Sequence, residues 1–122
     1  MSKFARNIRP HVGAELLAAA DVEAKGHADT AFAHLERAHV LGQASTVEHV
    51  RVHWRMFLWG VRQRNSGECF GQLLRIGGAA AKTAIGLVPE GNTGGSNVSP
   101  FKRMPVPPEL EARIQRARGS ER

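Results

Sequence analysis

Apolar side chains recur with helical spacing through residues 28–62, and we expect the rest of the chain to pack around this stretch. In residues 28–41, Ala31, Leu35 and Ala38 follow one another at intervals of four and three, which places them on one face of a helix. Another helix, the third of the chain, is predicted over residues 46–63, and Gly42 before it is typical of a helix end. Because so short a connection favours antiparallel neighbours, we predict a helical hairpin.

Three further helices are predicted outside this hairpin. Pro10 is expected to open the first, over residues 11–25, and the fourth and fifth are expected over residues 67–87 and 108–118. The predicted inner faces of the first and third helices are Ala14, Leu17, Ala18 and Val22 in the first, and Val50, Trp54, Phe57, Leu58 and Val61 in the third. Glycine and proline are frequent in residues 89–100, which predicts a loop that turns the chain.

A loose internal repeat points to a particular helical architecture. Residues 26–38 can be laid on residues 64–76, so that Phe32 meets Phe70 and Leu35 meets Leu73. The first copy resembles the tetratricopeptide (TPR) pattern of a turn glycine followed by small and large apolar residues. We therefore predict an all-α fold of two antiparallel TPR-like hairpins, with a Gly/Pro-rich loop and a short C-terminal helix. The predicted domain covers residues 10–104, and a basic tail with a short helix covers residues 105–122.

Charge is distributed unevenly along the chain. The net charge is +6, and residues 51–122 carry twelve of the seventeen basic side chains and five of the eleven acidic ones. Arg51, Arg55 and Arg62 fall on roughly one face of the third helix, and such a face could meet phosphates or anionic lipid. The basic second half as a whole would favour an acidic protein partner. A solvated arginine face is the simpler interpretation. The sequence shows no RNA-binding, zinc-finger or helix-turn-helix pattern, which argues against a nucleic-acid partner.

The cysteine content and the apolar segments bear on location. A single cysteine excludes an intramolecular disulfide framework, and no continuous apolar segment of a secretory signal is present near the N-terminus, so we expect a cytoplasmic protein. Arg75 and Lys82 interrupt the most apolar helix, which argues against a transmembrane segment. A helix lying on a membrane surface is the alternative for this segment.

The hairpin concentrates candidate metal ligands. Four of the six histidines lie on it: His34, His39, His49 and His53. When the chain is folded about residues 43 and 44, His39 and His49 lie on the same level, and His49 and His53 share a face at spacing i, i+4. Neutral imidazole binds zinc, copper, nickel or iron, so the pattern predicts a transition-metal site.

The same spacing limits how many of these side chains can converge. His34 and His39 are rotated by roughly 140° around the helix, so they cannot both point at the neighbouring helix. The economical site is His39, His49 and His53, completed by Glu36, His34 or water. Partly buried histidines that only hydrogen-bond to their neighbours are the alternative.

Three functions remain open from the residues alone. The first is a small metal-binding protein, and the second is a TPR-like interaction adaptor with a basic surface and no metal. The third is an enzyme, which is less favoured because no nucleophile triad, carboxylate pair or cofactor fingerprint is found.

The motifs HLERAHVLGQ, HVRVHW, GQLLRI and GLVPEGNTGGSNVSPF together resemble a family of small bacterial proteins known as domain of unknown function number 3703. The resemblance covers roughly residues 10–108. It implies an all-helical bacterial protein, and it implies no activity and no catalytic residues.

Overall fold

The computed structural model describes residues 2–84, 91–96 and 102–119, with side chains of the fourth helix described as far as residue 78. Five helices follow one another in these ranges: α1 (Lys3–Ala24), α2 (Ala28–Gly42), α3 (Thr46–Arg62), α4 (Ser66–Ala84) and α5 (Pro108–Gly119). No strand occurs in the described residues. The predicted all-α class is confirmed. Residues 89, 90 and 97–100 of the predicted loop lie outside the described residues.

Helix α1 begins earlier than the sequence indicated. Ser2 is its N-cap and accepts a hydrogen bond from the Ala5 amide, whereas Pro10 lies inside the helix. The predicted start at residue 11 was wrong because the apolar spacing already begins with Ala5 and Ile8. The predicted inner face was wrong at Leu17, which is 65 % exposed, although Val22 does pack against the core. The buried residues of α1 are Ala5, Ile8, Val12, Glu15, Leu16 and Ala19.

The first four helices run antiparallel, each to the next. In α2 and α3, His39 meets His49 near the turn, and the Trp59 indole at the far end donates to the Ala28 carbonyl. Helices α3 and α4 pair in the same way, because the Cys69 thiol contacts the Phe57 carbonyl while His53 contacts Gln72. The most extensive contacts between helices are those of α1 with α2 and of α3 with α4. The predicted hairpin packing agrees with these contacts, and likeness to TPR proteins stays a prediction.

The two faces of α3 are exchanged relative to the prediction. Trp54 and Val61, which were expected to be buried, are 48 % and 53 % exposed. The face toward the core carries His49, Val52, His53, Met56, Trp59 and Gly60 instead. Two apolar stripes run along this helix, and the prediction chose the one with the larger side chains. The repeat shows the same disagreement: Leu35 is buried, but its counterpart Leu73 is exposed.

The C-terminal helix is held by core contacts and by a buried carboxylate. Leu110, Ile114 and Ala117 join the residues of α1 and α2 in the hydrophobic core. Glu15 of α1 accepts from Arg113 of α5 at 3.1 Å and from Arg37 of α2 at 3.1 Å. Burial acts to raise the pKa of the Glu15 carboxyl, but the hydrogen bonds from Arg37 and His34 outweigh it and hold that pKa below its ordinary value. Glu15 therefore stays ionised and links three helices.

Candidate metal centre

Three buried imidazoles converge at the end of the α2–α3 hairpin. The Nε2 atom of His39 lies 3.0 Å from Nε2 of His49 and 3.1 Å from Nε2 of His53. The three side chains are only 2–3 % exposed. Their candidate ligand atoms all lie within 4.8 Å of one another, which is close enough to share one metal ion.

The convergence follows from the local sequence. His39 lies in the last turn of α2, and His49 and His53 lie one turn apart near the start of α3. The Ser45 hydroxyl accepts from the Glu48 amide and so fixes where α3 begins. Gly42 leaves room for close approach, since a Cβ there would lie 2.9 Å from Cβ of Glu48. The tight turn of the hairpin therefore brings all three imidazole rings together.

The outer nitrogens of two rings face acceptors. His39 Nδ1 lies 2.6 Å from the backbone carbonyl oxygen of Asn92, which can only accept a hydrogen bond. His53 Nδ1 lies 2.5 Å from the side-chain oxygen Oε1 of Gln72. The amide nitrogen of Gln72 donates to the Glu68 carboxylate at 2.7 Å and to the Gly94 carbonyl at 2.9 Å, which fixes the orientation of that amide. Both Nδ1 atoms must therefore carry the proton.

This protonation pattern determines what the inner nitrogens can do. A neutral imidazole that is protonated at Nδ1 presents a lone pair at Nε2. His39 and His53 therefore direct two lone pairs at each other across 3.1 Å. Such an arrangement is unfavourable unless a cation or a proton lies between them. Partners on the outer nitrogen that fix the tautomer in this way are typical of metal-binding histidines.

A short loop between α4 and α5 closes over the cluster. Gly94 packs its backbone against the ring of His39, and its φ of +83° is accessible mainly to glycine. The Asn92 side chain accepts from the Gly94 amide and donates to the Lys102 carbonyl, while the Ser96 amide donates to Glu68. Sequence reasoning missed Glu68, Gln72 and Asn92 as parts of the site. The Gly-rich composition of residues 91–96 was the only available signal.

The other proposed ligands are not part of this group of three histidines. His34 Nδ1 pairs with Oε1 of Glu15 at 2.8 Å, so this ring belongs to the α1–α2–α5 ion network. The structure does not group Glu36 with the three histidines. Burial and then the nearby Glu68 charge raise the pKa of the Glu36 carboxyl, against a hydrogen bond from Thr93. Of the predicted ligands, only His39, His49 and His53 are brought together.

The predicted basic surface is partly compensated within the chain. Arg51 donates to Glu48 at 2.9 Å, and Arg62 makes two hydrogen bonds to the Glu23 carboxylate. Arg55 lies beside Arg62 and Leu58 in a groove between α1 and α3. An acidic partner would therefore meet less free positive charge than the sequence suggests.

Replacing Gln72 by Leu tests the role of the outer contacts. Leu keeps the volume of this fully buried side chain but leaves His53 Nδ1 without its acceptor. We expect a 10- to 100-fold weaker affinity for zinc in a competition titration, the usual effect of removing a partner behind a ligand. The matched control is Gln63→Leu at the exposed end of α3, which should leave the affinity unchanged. Equal affinities in wild type and Gln72→Leu would show that Gln72 does not orient His53.

Comparison with known proteins identifies one family. A family model described as "Protein of unknown function (DUF3703)" matches residues 6–114. No curated protein and no solved structure matches the chain. The match covers all three clustered histidines, together with Glu68, Gln72 and Asn92.

Proposed function

The chain belongs to the DUF3703 family, whose description states no activity, and we propose that it is a small transition-metal-binding protein with His39, His49 and His53 as ligands. The observation that carries this proposal is the pair of Nε2 lone pairs held face to face by outer hydrogen bonds on His39 and His53. A bound cation turns that repulsion into coordination. A proton held between the two rings would satisfy the same contacts, and the metal content measured below distinguishes it from a bound ion.

The dimensions of the cluster support a first-row transition metal. In a tetrahedral site with metal–nitrogen bonds of about 2.0–2.1 Å, neighbouring ligand nitrogens lie about 3.3 Å apart. The His39–His49 and His39–His53 separations of 3.0 and 3.1 Å are close to this value, and the His49–His53 pair, which lies within 4.8 Å, would adjust on binding an ion. Three neutral imidazoles suit zinc, copper, nickel or iron, whereas magnesium and calcium prefer oxygen ligands.

The three protein ligands found among the described residues leave at least one coordination position for another group. Catalytic zinc sites commonly have three protein ligands and an open position, whereas structural sites have four. Because the three rings are nearly inaccessible to solvent, the remaining ligand is expected to be water or another small molecule. We propose metal binding as the function and assign no reaction.

The proposal is tested by metal content and by thermal stability. The full-length protein, stripped with a chelator, should bind about one zinc, copper or nickel ion per chain by elemental analysis after dialysis. An ion present at 100 times its Kd contributes about 2.7 kcal/mol of stability, which raises the Tm of a domain of this size by about 10 °C. Magnesium and calcium serve as control ions and should leave the Tm unchanged.

A chain that retains none of the three metals and shows no change in Tm would contradict the proposal. The alternative function, a TPR-like adaptor that binds an acidic partner without metal, would then be favoured. The bacterial origin and the cytoplasmic location stay predictions.

A further inference from the structure

A second surface, independent of the metal centre, is formed by the outer sides of α3 and α4. Its members are large apolar residues that are 48–67 % exposed: Trp54, Val61, Phe70, Leu73 and Leu74. We call these five residues the outer apolar face. Trp54 and Val61 are seven residues apart and so lie on one side of α3, while Phe70, Leu73 and Leu74 lie on one side of α4. Val61, Phe70 and Leu73 line one shallow concavity, which joins the two helices into a continuous face.

This face is large for the surface of so small a chain. Its side chains together leave roughly 600 Å² of apolar area in water, at the upper end of the largest patch on a typical monomer. The Trp54 ring is positioned by stacking on Phe57, with ring centres 5.3 Å apart. Leu17 on α1, although 65 % exposed, is not accompanied by other exposed large apolar residues on its helix. The concentration on α3 and α4 therefore indicates a surface that is covered in use.

The exposed charges that α3 and α4 contribute around the face have one sign, and Glu23 of α1 lies beside Arg55 and Arg62 at its border. On α3, the following turn and the described side chains of α4, every charged residue that reaches solvent is an arginine: Arg51, Arg55, Arg62, Arg64 and Arg75. The two acidic residues of this segment, Glu48 and Glu68, are buried. Arg64 borders the same concavity as Val61 and Phe70. Within the described part of the chain, Arg55 and Arg64 have no carboxylate partner, so their charge is available to a ligand.

We infer that the outer apolar face docks on an anionic lipid membrane, with its apolar side chains inserted at the level of the headgroups and the arginines on the lipid phosphates. Aromatic and leucine side chains beside a basic border are the combination that binds such an interface. The helices lie on the surface and do not cross it, since no helix in the described residues is long and apolar enough to span a membrane.

A second copy of the chain fits this face less well. A twofold contact would place the arginine border of one copy beside that of the other, and like charges in an interface cost several kcal/mol. The charge pattern therefore favours an anionic counterpart. Self-association is kept as an outcome of the experiment.

The test uses the full-length protein and sedimented vesicles of phosphatidylcholine, with and without about one third phosphatidylglycerol. We expect at least tenfold more binding to the anionic vesicles at low salt, falling as salt is raised. Trp54 gives a direct signal: its emission should shift to shorter wavelength on binding, whereas the buried Trp59 contributes a constant background.

Replacing Phe70 by Glu should reduce binding at least tenfold. Replacing Arg64 by Gln should reduce it about fivefold, the effect of one basic residue near an anionic surface.

The matched control is Leu17→Glu, which changes an equally exposed leucine on α1 and should bind vesicles like the wild type. Circular dichroism confirms that each variant is folded, and Leu74→Glu replaces Phe70→Glu if that variant is not. The inference is overturned by absence of binding to anionic vesicles, by equal binding to neutral ones, or by equal loss in Leu17→Glu. It is also overturned if sedimentation equilibrium shows a dimer that Phe70→Glu dissociates while vesicles remain unbound. Each result is independent of metal content.

Discussion

Replacing His49 by Ala is expected to weaken zinc affinity by more than about 100-fold, beyond the usual effect of removing an outer hydrogen-bond partner. His49 Nε2 lies 3.0 Å from His39 Nε2, and the ring is 2 % exposed. Without it, two imidazoles from different helices remain, and water would have to supply the lost ligand. The measurement is a competition titration against a zinc-binding dye of known affinity, paired with elemental analysis after dialysis.

The matched control for this substitution is His34→Ala. His34 lies on the same hairpin, but its ring bonds to Glu15 and lies apart from the three-histidine cluster. This variant should bind zinc with wild-type affinity while losing some stability, because Glu15 loses one of its donors. The pair of variants also tests the larger ligand set predicted from the sequence, which included His34. Similar zinc affinities for His49→Ala and wild type would contradict the proposed site, and a large loss in His34→Ala would restore His34 as a ligand.

Replacing Gly94 by Ala is expected to destabilise the fold by about 2–4 kcal/mol and to displace His39. The φ of +83° is strained for an alanine, and a Cβ at this position would lie 2.8 Å from His39 Nε2 and closer still to the ring carbons. Relief of the clash requires either the loop to leave Gln72 or the His39 ring to rotate away from its neighbours. Urea unfolding measures the first effect, and zinc titration measures the second, which should be at least tenfold.

Gly13→Ala is the same chemical change, but it is expected to stabilise the protein instead of destabilising it. Gly13 lies within α1, and a Cβ there would meet nothing within 4 Å. Removing a glycine from a helix interior should stabilise the protein by about 0.5–1 kcal/mol and leave zinc affinity unchanged. If Gly94→Ala proved as stable as Gly13→Ala, the close packing of the loop on His39 would be wrong.

The sequence predicted the three-histidine cluster because its geometry is local. His39, His49 and His53 lie on two helices joined by a short turn, so helical spacing and an antiparallel return suffice to bring them together. Gln72, Glu68 and Asn92 could not be placed in this way. They come from α4 and from the loop after it, and their positions depend on how α4 packs on α3 and where the loop returns.

The inner faces of α1 and α3 show a different limit of sequence reasoning. In α3, apolar residues occur on two sides of the helix, and hydrophobicity alone does not tell which side meets the core. The side that faces the core contains His49 and His53, which count as polar in a hydrophobicity pattern, beside Val52 and Met56. The outer side contains Trp54 and Val61, whose exposure is the basis of the proposed membrane contact.

The position of the three clustered imidazoles within a single stretch of fifteen residues, His39 to His53, bears on how the molecule assembles. Closing so short a loop costs little chain entropy, so an ion can gather the three rings while α1 and α5 are still undocked. The outer contacts from Gln72 and Asn92 arrive only with distant parts of the chain. Under the proposed function, metal binding would therefore precede the docking of α1 and α5, and the folding rate of the hairpin would increase when zinc is present.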